Sequence, residues 1–470
     1  MQMLTVYAPF DNQPIGDVAY SSPSEIEAAL ATADALFRRR SAWLGKIERI
    51  AILRRFETLV AARHEELALQ VARESGKPLR DARTEIDRGL ECVAIAIEEL
   101  RTNAGHVVPM GLNATSADRV AFTQYEPIGV VLAISAFNHP FNLVIHQLVP
   151  AIAVGAPVIV KPSPKTPLSC RAIIAMLAEA GLPDGWAQMV LPSSNEEVAA
   201  IVADRRIAFL SFIGSAAVGW QLRALLPAGA RCALEHGGVA PVIVAADADL
   251  DAAIPRIARA GFWHAGQACV SVQRLFCDAG IATEVADRIA AFGDALVTGD
   301  PALATTDVGP LISGEALARV DAWVGEAAAA GGQLVTGGRA LSPTCYANTV
   351  LLNPPEDSKV ATSEIFGPAI AVFPFADLDE AIGRTNSLPF AFQAAAFTRN
   401  LDTAMRCYRR IDASAVMINE TSLFRTDWMP FAGLRASGLG VGGIPHTMRE
   451  LQVEKMMVWR SDLYADGAAR

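Results

Sequence analysis

The chain has 470 residues, which at roughly 150 per domain suggests about three domains. Its 40 Lys and Arg against 50 Asp and Glu give a net charge of −10, with no basic tract, so a nucleic-acid partner is not expected. Apolar residues reach 52%, but the longest uncharged stretches are broken by Gly and Pro before the ~20 residues a bilayer crossing needs. The amino terminus also lacks the basic and apolar regions of an export signal, so a cytoplasmic protein without a membrane partner is expected.

In chain order, the first ~115 residues are mostly helical, with apolar residues at 3.6 spacing over 24–38, 46–63 and 81–101, as helices laid on a sheet have. Segment 119–125 then alternates apolar and polar residues. From 130 to 247, short β-branched runs alternate with helix-length stretches. Strands are expected at 130–135, 157–161, 188–191, 207–213 and 241–244, each apolar nearly throughout, as strands buried on both faces are. Helices are expected at 146–154, 169–180, 196–203 and 217–226. This alternation defines a doubly wound parallel sheet. A second α/β series from 250 to about 419, with a helix at 315–330 and strands at 369–373 and 416–418, reads as a second domain. Segment 451–459 alternates again, so it and 119–125 are expected to form a hairpin or an arm reaching another subunit.

Cys92, Cys170, Cys232, Cys269, Cys277, Cys345 and Cys407 are odd in number and include no C-x-x-C pair, so neither a disulfide framework nor a thiolate cage is expected. The histidines form no i, i+4 pair of the kind zinc sites use on a helix, and no metal is expected.

The chemistry concentrates in a few short runs. Gly266-Gln267-Ala268-Cys269 places one thiol between a turn and a strand-like stretch. Cysteine is among the most buried residue types, so this run alone would pass for core packing. Glu235 lies beside Gly237 and Gly238, where a carboxylate is costly unless used or solvated. Asn138 follows the first strand, Lys161 and Ser163 end the next, and Gly214-Ser215 opens a helix after 207–213. An amide, an ammonium and a helix amino terminus thus meet at the carboxyl edge of the sheet, where open α/β folds bind ligands. Gly438-Leu439-Gly440-Val441-Gly442-Gly443 satisfies G-x-G-x-x-G, but no strand is expected before it and too little chain follows for a βαβ unit, so it reads as a flexible loop.

Taken together, these runs resemble the aldehyde dehydrogenase family over essentially the whole chain. The resemblance rests on Phe137-Asn138-His139-Pro140, Val160-Lys161-Pro162-Ser163, Phe212-Ile213-Gly214-Ser215, Glu235-His236-Gly237-Gly238, Gly266-Gln267-Ala268-Cys269, Glu364-Ile365-Phe366-Gly367-Pro368, Asn419, Pro430-Phe431-Ala432-Gly433 and Ser437-Gly438-Leu439-Gly440, in family order. It implies a doubly wound NAD(P)-binding domain (1–115 and 129–236), an α/β catalytic domain (237–435) and a small β oligomerisation arm (116–128 and 450–463), in a homodimer or homotetramer. It also implies roles. Cys269 would attack an aldehyde, the Asn138 amide and the Cys269 N–H would hold the oxyanion, and Glu235 would activate the water that hydrolyses the thioester to a free acid. Lys161 and Ser163 would take the adenine-side ribose, Gly214 and Ser215 the pyrophosphate, and Glu364 and Phe366 the nicotinamide ribose and ring. Pro164 and Lys165 stand where an acidic residue often follows Lys-Pro-Ser, so nothing there repels a 2′-phosphate, and NAD and NADP are equally expected.

Segments 138–142, 424–430 and 440–445 are most similar to family members acting on short aldehydes with anionic or hydroxylated tails, of the phosphonoacetaldehyde and lactaldehyde type. Arg88, His139 and Arg425 would suit such a tail. Each also has a plainer reading, Arg88 as a solvated helix residue and Arg425 as a cation–π partner of Phe424 or Trp428. Ala268 stands where phosphonate-handling relatives would be expected to carry a further Arg, which leaves a carboxylate, sulfonate or hydroxylated tail open. Neutral aliphatic aldehydes, or a cofactor-independent thiol esterase, are the competing readings.

Overall fold

The computed structural model describes residues 2–462, so residue 463 of the expected arm and residue 1 lie outside the described residues. A six-stranded sheet runs in the order Gly438–Leu439, Arg231–Glu235, Ile207–Ile213, Val130–Ile134, Val158–Lys161, Ala187–Met189. All neighbours are parallel except the first pair, which is antiparallel. Val130–Ile134 is buried at every position, as its unbroken apolar run requires for a strand covered on both faces. The helix Asn142–Val154 packs on this sheet, and Leu79–Thr102, expected on the sheet as well, packs instead on that helix, so closely that a Cβ on Gly89 would lie 2.5 Å from the Phe141 ring.

The second sheet has seven strands, in the order Gln333–Thr336, Thr349–Leu352, Ala369–Phe375, Arg274–Asp278, Pro241–Val244, Gln393–Phe397, Ala415–Ile418. Only the Gln333–Thr336 edge is antiparallel. The strand at 241–244 therefore belongs here and not to the first sheet, where Arg231–Glu235 takes its place. That strand carries charge at both ends and is only partly covered, so it lacks the apolar run that marks its neighbours.

Three further elements differ from expectation. The amino-terminal region opens with a hairpin, Met3–Tyr7 against Pro14–Ala19, and a helix fills His64–Ser75. The glycine run near 440 begins as a short edge strand, Gly438 and Leu439 pairing with Glu235 and Leu234, and continues as a loop that Gly442 bridges to Phe431. Segments 119–125 and 451–459 do pair, as Arg119–Pro127 against Gln452–Arg460 over nine positions, with Val107–Val108 on the outside. On the second of these strands Met456, Met457, Val458 and Trp459 are all exposed. Among the described residues no helix is long and apolar enough to cross a membrane.

Candidate active site

One cavity of about 860 Å³ runs along the carboxyl edge of the six-stranded sheet and is lined by Asn138, Lys161, Ser163, Gly214, Ser215, Glu235, Cys269, Glu364 and Phe366. Its position follows from topology. Asn138 follows Val130–Ile134, Lys161 ends its own strand, Gly214 follows Ile207–Ile213, and Glu235 ends the strand beside it, so parallel strands deliver all four to one edge.

Cys269 arrives from the second sheet on a strained turn. After the helix Leu250–Phe262, His264, Ala265 and Gly266 have φ of 49°, 53° and 71°. Left-handed backbone at two non-glycine residues costs on the order of 1–3 kcal/mol each and is held only by well-fixed surroundings. Gln267 provides that fixing: its Nε2 donates to the carbonyls of His264 and Pro310 (3.1 and 3.2 Å) and its Oε1 accepts from the Ile312 N–H (2.9 Å). A Cβ on Gly266 would lie 2.0 Å from the Gly367 carbonyl oxygen. Gly266→Ala is therefore expected to lower stability by about 1–3 kcal/mol and to lower kcat with it. A thermal melt within 1 °C of wild type, together with unchanged kcat, would contradict this account of the turn.

Asn138 lines the same cavity as Cys269, reaching it from the edge of the six-stranded sheet. One of its amide hydrogens goes to the Gln267 carbonyl (Nδ2 to O, 2.9 Å), which leaves the second free to point into the cavity. The loop carrying it is pinned by Glu85, whose carboxylate accepts the N–H groups of Phe141 and Asn142 (2.9 and 3.0 Å). Glu85 in turn pairs with Lys77, fully buried, whose ammonium lies 5.2 Å from the Trp263 ring centre.

Burial pushes the Cys269 thiol up to about 12, with Glu364 adding to the effect and Arg425 opposing it. Burial likewise raises the Glu235 carboxyl, against the pull of Arg425, and lifts Glu364 to about 8 despite Arg319. Two glycines make room for these acids: a Cβ on Gly442 would sit 2.3 Å from Glu235 Oε1, and one on Gly237 would sit 1.8 Å from Glu364 Oε1. Gly442 belongs to the run that sequence reasoning set aside, and its service is to Glu235.

On the nucleotide side, the helix Ala216–Leu225 begins at Ser215, whose hydroxyl makes no capping bond. Gly214 lines the cavity, but its N–H is spent on the Glu235 carbonyl (3.0 Å) and its own carbonyl faces His236 Nδ1 (3.0 Å). The donors left for a phosphate are thus the Ser215 hydroxyl and the N–H groups of the first turn. Buried Glu364 Oε1 has no hydrogen-bond partner among the described residues and is an acceptor of the kind ribose hydroxyls require. No carboxylate lines the cavity around Lys161, Ser163, Pro164 and Val198. The residues present therefore fit an adenine dinucleotide with or without a 2′-phosphate.

The three residues expected to meet a tail all line the same cavity as Cys269. Arg88 is not a solvated residue: its guanidinium grips Asp427 through two bonds (Nε to Oδ2, 3.0 Å; Nη2 to Oδ1, 2.6 Å). Arg425 stacks, but on Phe431, with the guanidinium carbon 3.6 Å from the ring centre, and not on Phe424 or Trp428. Those two side chains are exposed. Arg425 Nε is buried without a hydrogen-bond partner among the described residues, 3.9 Å from Asp427 Oδ1. Burial, with Lys77, His264 and the two arginines nearby, lowers His139 well below the usual histidine range and so disfavours its cationic form.

Sequence reasoning missed Asp427, which is fully buried and also bonded to His146 Nε2 (2.8 Å). Cys92, His146 and Asp427 bring their ligand atoms within 4.8 Å of one another, although they are scattered in sequence. Two guanidinium groups against the same carboxylate make this an ion-pair cluster and a poor place for a further cation. The available signal was an acid two residues after Arg425, between Phe424 and Trp428.

A thiol, two acids and an amide gathered in a dinucleotide-sized cleft at a parallel sheet edge define an α/β enzyme of the nucleotide-dependent class. The model of the aldehyde dehydrogenase family matches residues 1–457. The chain is 35% identical over 460 residues to a 3-sulfolactaldehyde dehydrogenase from Priestia aryabhattai, covering 97% of this chain and 94% of the relative. Among solved structures it is similar to aldehyde dehydrogenase 21 from Physcomitrella patens in complex with the reaction product succinate (TM-score 0.94, 32% identity, 100% of this chain and 96% of that one). It is also similar to a glyceraldehyde-3-phosphate dehydrogenase from Methanocaldococcus jannaschii complexed with NADP (TM-score 0.92, 31% identity, 97% and 99%). The chain belongs to the aldehyde dehydrogenase family.

Proposed function

We propose that the protein oxidises a small aldehyde with an anionic tail to the free carboxylic acid, with NAD or NADP as acceptor. The observation that carries this reading is the shared cavity: Cys269, Asn138 and Glu235 line it together with Arg425, whose buried Nε lacks a partner among the described residues. A buried guanidinium nitrogen without a hydrogen bond is costly unless something answers it. The sulfonate named for one relative and the succinate carboxylate bound by another support the same reading.

Cys269 gives its proton to solvent water and attacks the aldehyde carbon as the thiolate, with the oxyanion held by the free Asn138 amide hydrogen and the Cys269 N–H. Bound in the cleft, the nicotinamide supplies the two-electron acceptor for the hydrogen leaving that carbon. Lys161, Ser163 and Ser215 hold the adenine side and Glu364 and Phe366 the nicotinamide side. Gly214 contributes space and not a donor. Glu235 then takes a proton from the water that cleaves the Cys269 thioester.

The organisation follows the same reading: residues 1–115 with 129–236 bind the cofactor, 237–435 catalyse, and 116–128 with 450–463 form the arm. The exposed apolar row Met456 to Trp459 supports a homodimer or homotetramer joined through that arm, since an uncovered edge strand invites pairing.

The test is initial-rate reduction of NAD and NADP with sulfoacetaldehyde, succinic semialdehyde, lactaldehyde and propionaldehyde. An anionic aldehyde is expected to exceed propionaldehyde in kcat/KM. Arg425→Gln is expected to lower kcat/KM for the anionic substrates by about 10- to 150-fold, the loss of one charge-assisted hydrogen bond of about 1.5–3 kcal/mol. Equal use of propionaldehyde by the wild type would favour the neutral-aldehyde reading instead.

A further inference from the structure

We propose that Asp427, a residue with no surface in the cavity, fixes the charge of the tail this enzyme accepts at one negative charge, so that a sulfonate or carboxylate is used and a dianionic phosphonate is refused. The inference rests on the reading that Arg88 and Arg425 meet an anionic tail, and it goes further by assigning the charge number to a third residue behind them.

The argument is a charge count over every element that closes this end of the cavity. The helix Leu79–Thr102 contributes Arg88, together with Glu85, which is cancelled by its pairing with Lys77. The helix Asn142–Val154 contributes His146, which burial, with Arg425 and Arg88 adding to it, brings down to about 4 against the pull of Asp427. The loop before that helix contributes His139, held neutral in the same way. The segment after Asn419 contributes Arg425 and Asp427.

Asp427 is ionised. Burial opposes its charge, but His146 and Arg88 hold its carboxyl well below the ordinary carboxylate range. Two arginines against one aspartate leave a single positive charge at the tail. Glu235, at the reacting end, can only subtract from that surplus when it is ionised. A sulfonate or carboxylate tail cancels the surplus, whereas a phosphonate, close to a phosphate monoester at about −1.5 to −2 near neutral pH, would leave an unpaired negative charge buried. Geometry gives the same answer. Arg88 spends Nε and Nη2 on Asp427, so its fork cannot also present that face to a substrate, while Arg425 keeps a free donor. Asp427 therefore acts by positioning and half-neutralising the arginines and does not touch the substrate.

The experiment compares kcat/KM for sulfoacetaldehyde and phosphonoacetaldehyde in the full-length wild type, Asp427→Asn and Asp427→Glu, with propionaldehyde as the neutral control. Taking the ratio of two substrates within one variant cancels any loss of folded enzyme. The wild type is expected to prefer the sulfonate by at least tenfold. Asp427→Asn is expected to shift the ratio at least tenfold toward the phosphonate, and Asp427→Glu, which keeps the charge, to leave it within threefold of wild type. A ratio unmoved in Asp427→Asn, or a wild type that prefers the phosphonate, overturns the assignment. A wild type that prefers an anionic tail but ignores its charge number defeats this inference alone; one that uses propionaldehyde as well as sulfoacetaldehyde defeats the reading beneath it. If Asp427→Asn does not fold, calorimetry of the wild type decides. Sulfoacetate is expected to bind without proton uptake and phosphonoacetate more weakly and with it. Binding of phosphonoacetate at least as tightly, with no proton taken up, overturns the proposal.

Discussion

Cys269→Ala is expected to lose aldehyde oxidation to the detection limit, because removing a covalent nucleophile costs on the order of 10⁶-fold. Cys92 cannot substitute: it is fully buried, does not line the cavity, and its Sγ is engaged by Asn142 Oδ1 and His146 Nε2 (3.6 and 3.4 Å). Reduced-nicotinamide absorbance measures the loss directly, and turnover above about one thousandth of wild type would mean that a different group attacks the aldehyde. The same residue carries a pH signature. Only the thiolate reacts, and burial beside Glu364, with Arg425 opposing and Glu235 adding to it, pushes this thiol up to about 12. In the enzyme without cofactor, alkylation of Cys269 by iodoacetamide should therefore rise about tenfold per pH unit from pH 7 to 10. A plateau near pH 8 would show a thiolate stabilised by the protein alone. The high resting value also gives a reason for the Asn138 and Cys269 donors: the oxyanion they hold compensates for the scarcity of the attacking form.

Glu235→Gln is the second large effect. In the proposed mechanism the first half of the reaction does not use this carboxylate, so one equivalent of reduced cofactor per Cys269 is expected in a burst, followed by a steady rate lower by about 10²- to 10⁴-fold, the usual contribution of a general base. Rapid-mixing absorbance separates the two phases, and loss of the burst itself would place Glu235 before thioester formation. The sign of the pH dependence is fixed by burial, which raises this carboxyl above the usual glutamate range against Arg425. The base is the deprotonated form, so thioester hydrolysis in the wild type should increase as pH rises through that elevated value and then level off. Gly442 offers a third view of the same group. A side chain there would collide with Glu235 Oε1, so Gly442→Ala should imitate Glu235→Gln in the slow phase while leaving the burst.

Much of this was legible in the chain. The alternation of buried β-branched runs with helical stretches between 130 and 213 announced the first sheet, and Val130–Ile134, Val158–Lys161 and Ile207–Ile213 form where the runs lie, because a strand covered on both faces must be apolar at every position. The short motifs around Asn138, Glu235, Cys269 and Glu364 announced the family, since cramped turns with glycine at set offsets leave a local signature. The chain by itself did not reveal Arg231–Glu235, whose charged ends and partial burial break the apolar run, nor the edge strand Gly438–Leu439, whose partner lies about two hundred residues earlier. The state of the charges was hidden for the same reason. On its own helix Arg88 is either a tail ligand or solvent-facing, His139 is a possible cation, and nothing local singles out Asp427. Only packing three distant segments together buries Asp427, ties Arg88 to it, disfavours the charged form of His139 and leaves Arg425 Nε without a hydrogen bond. Local sequence determines which backbone forms and which reactive groups exist. The folded chain decides how many charges face the substrate, because desolvation and ion pairing act between residues that no local pattern connects.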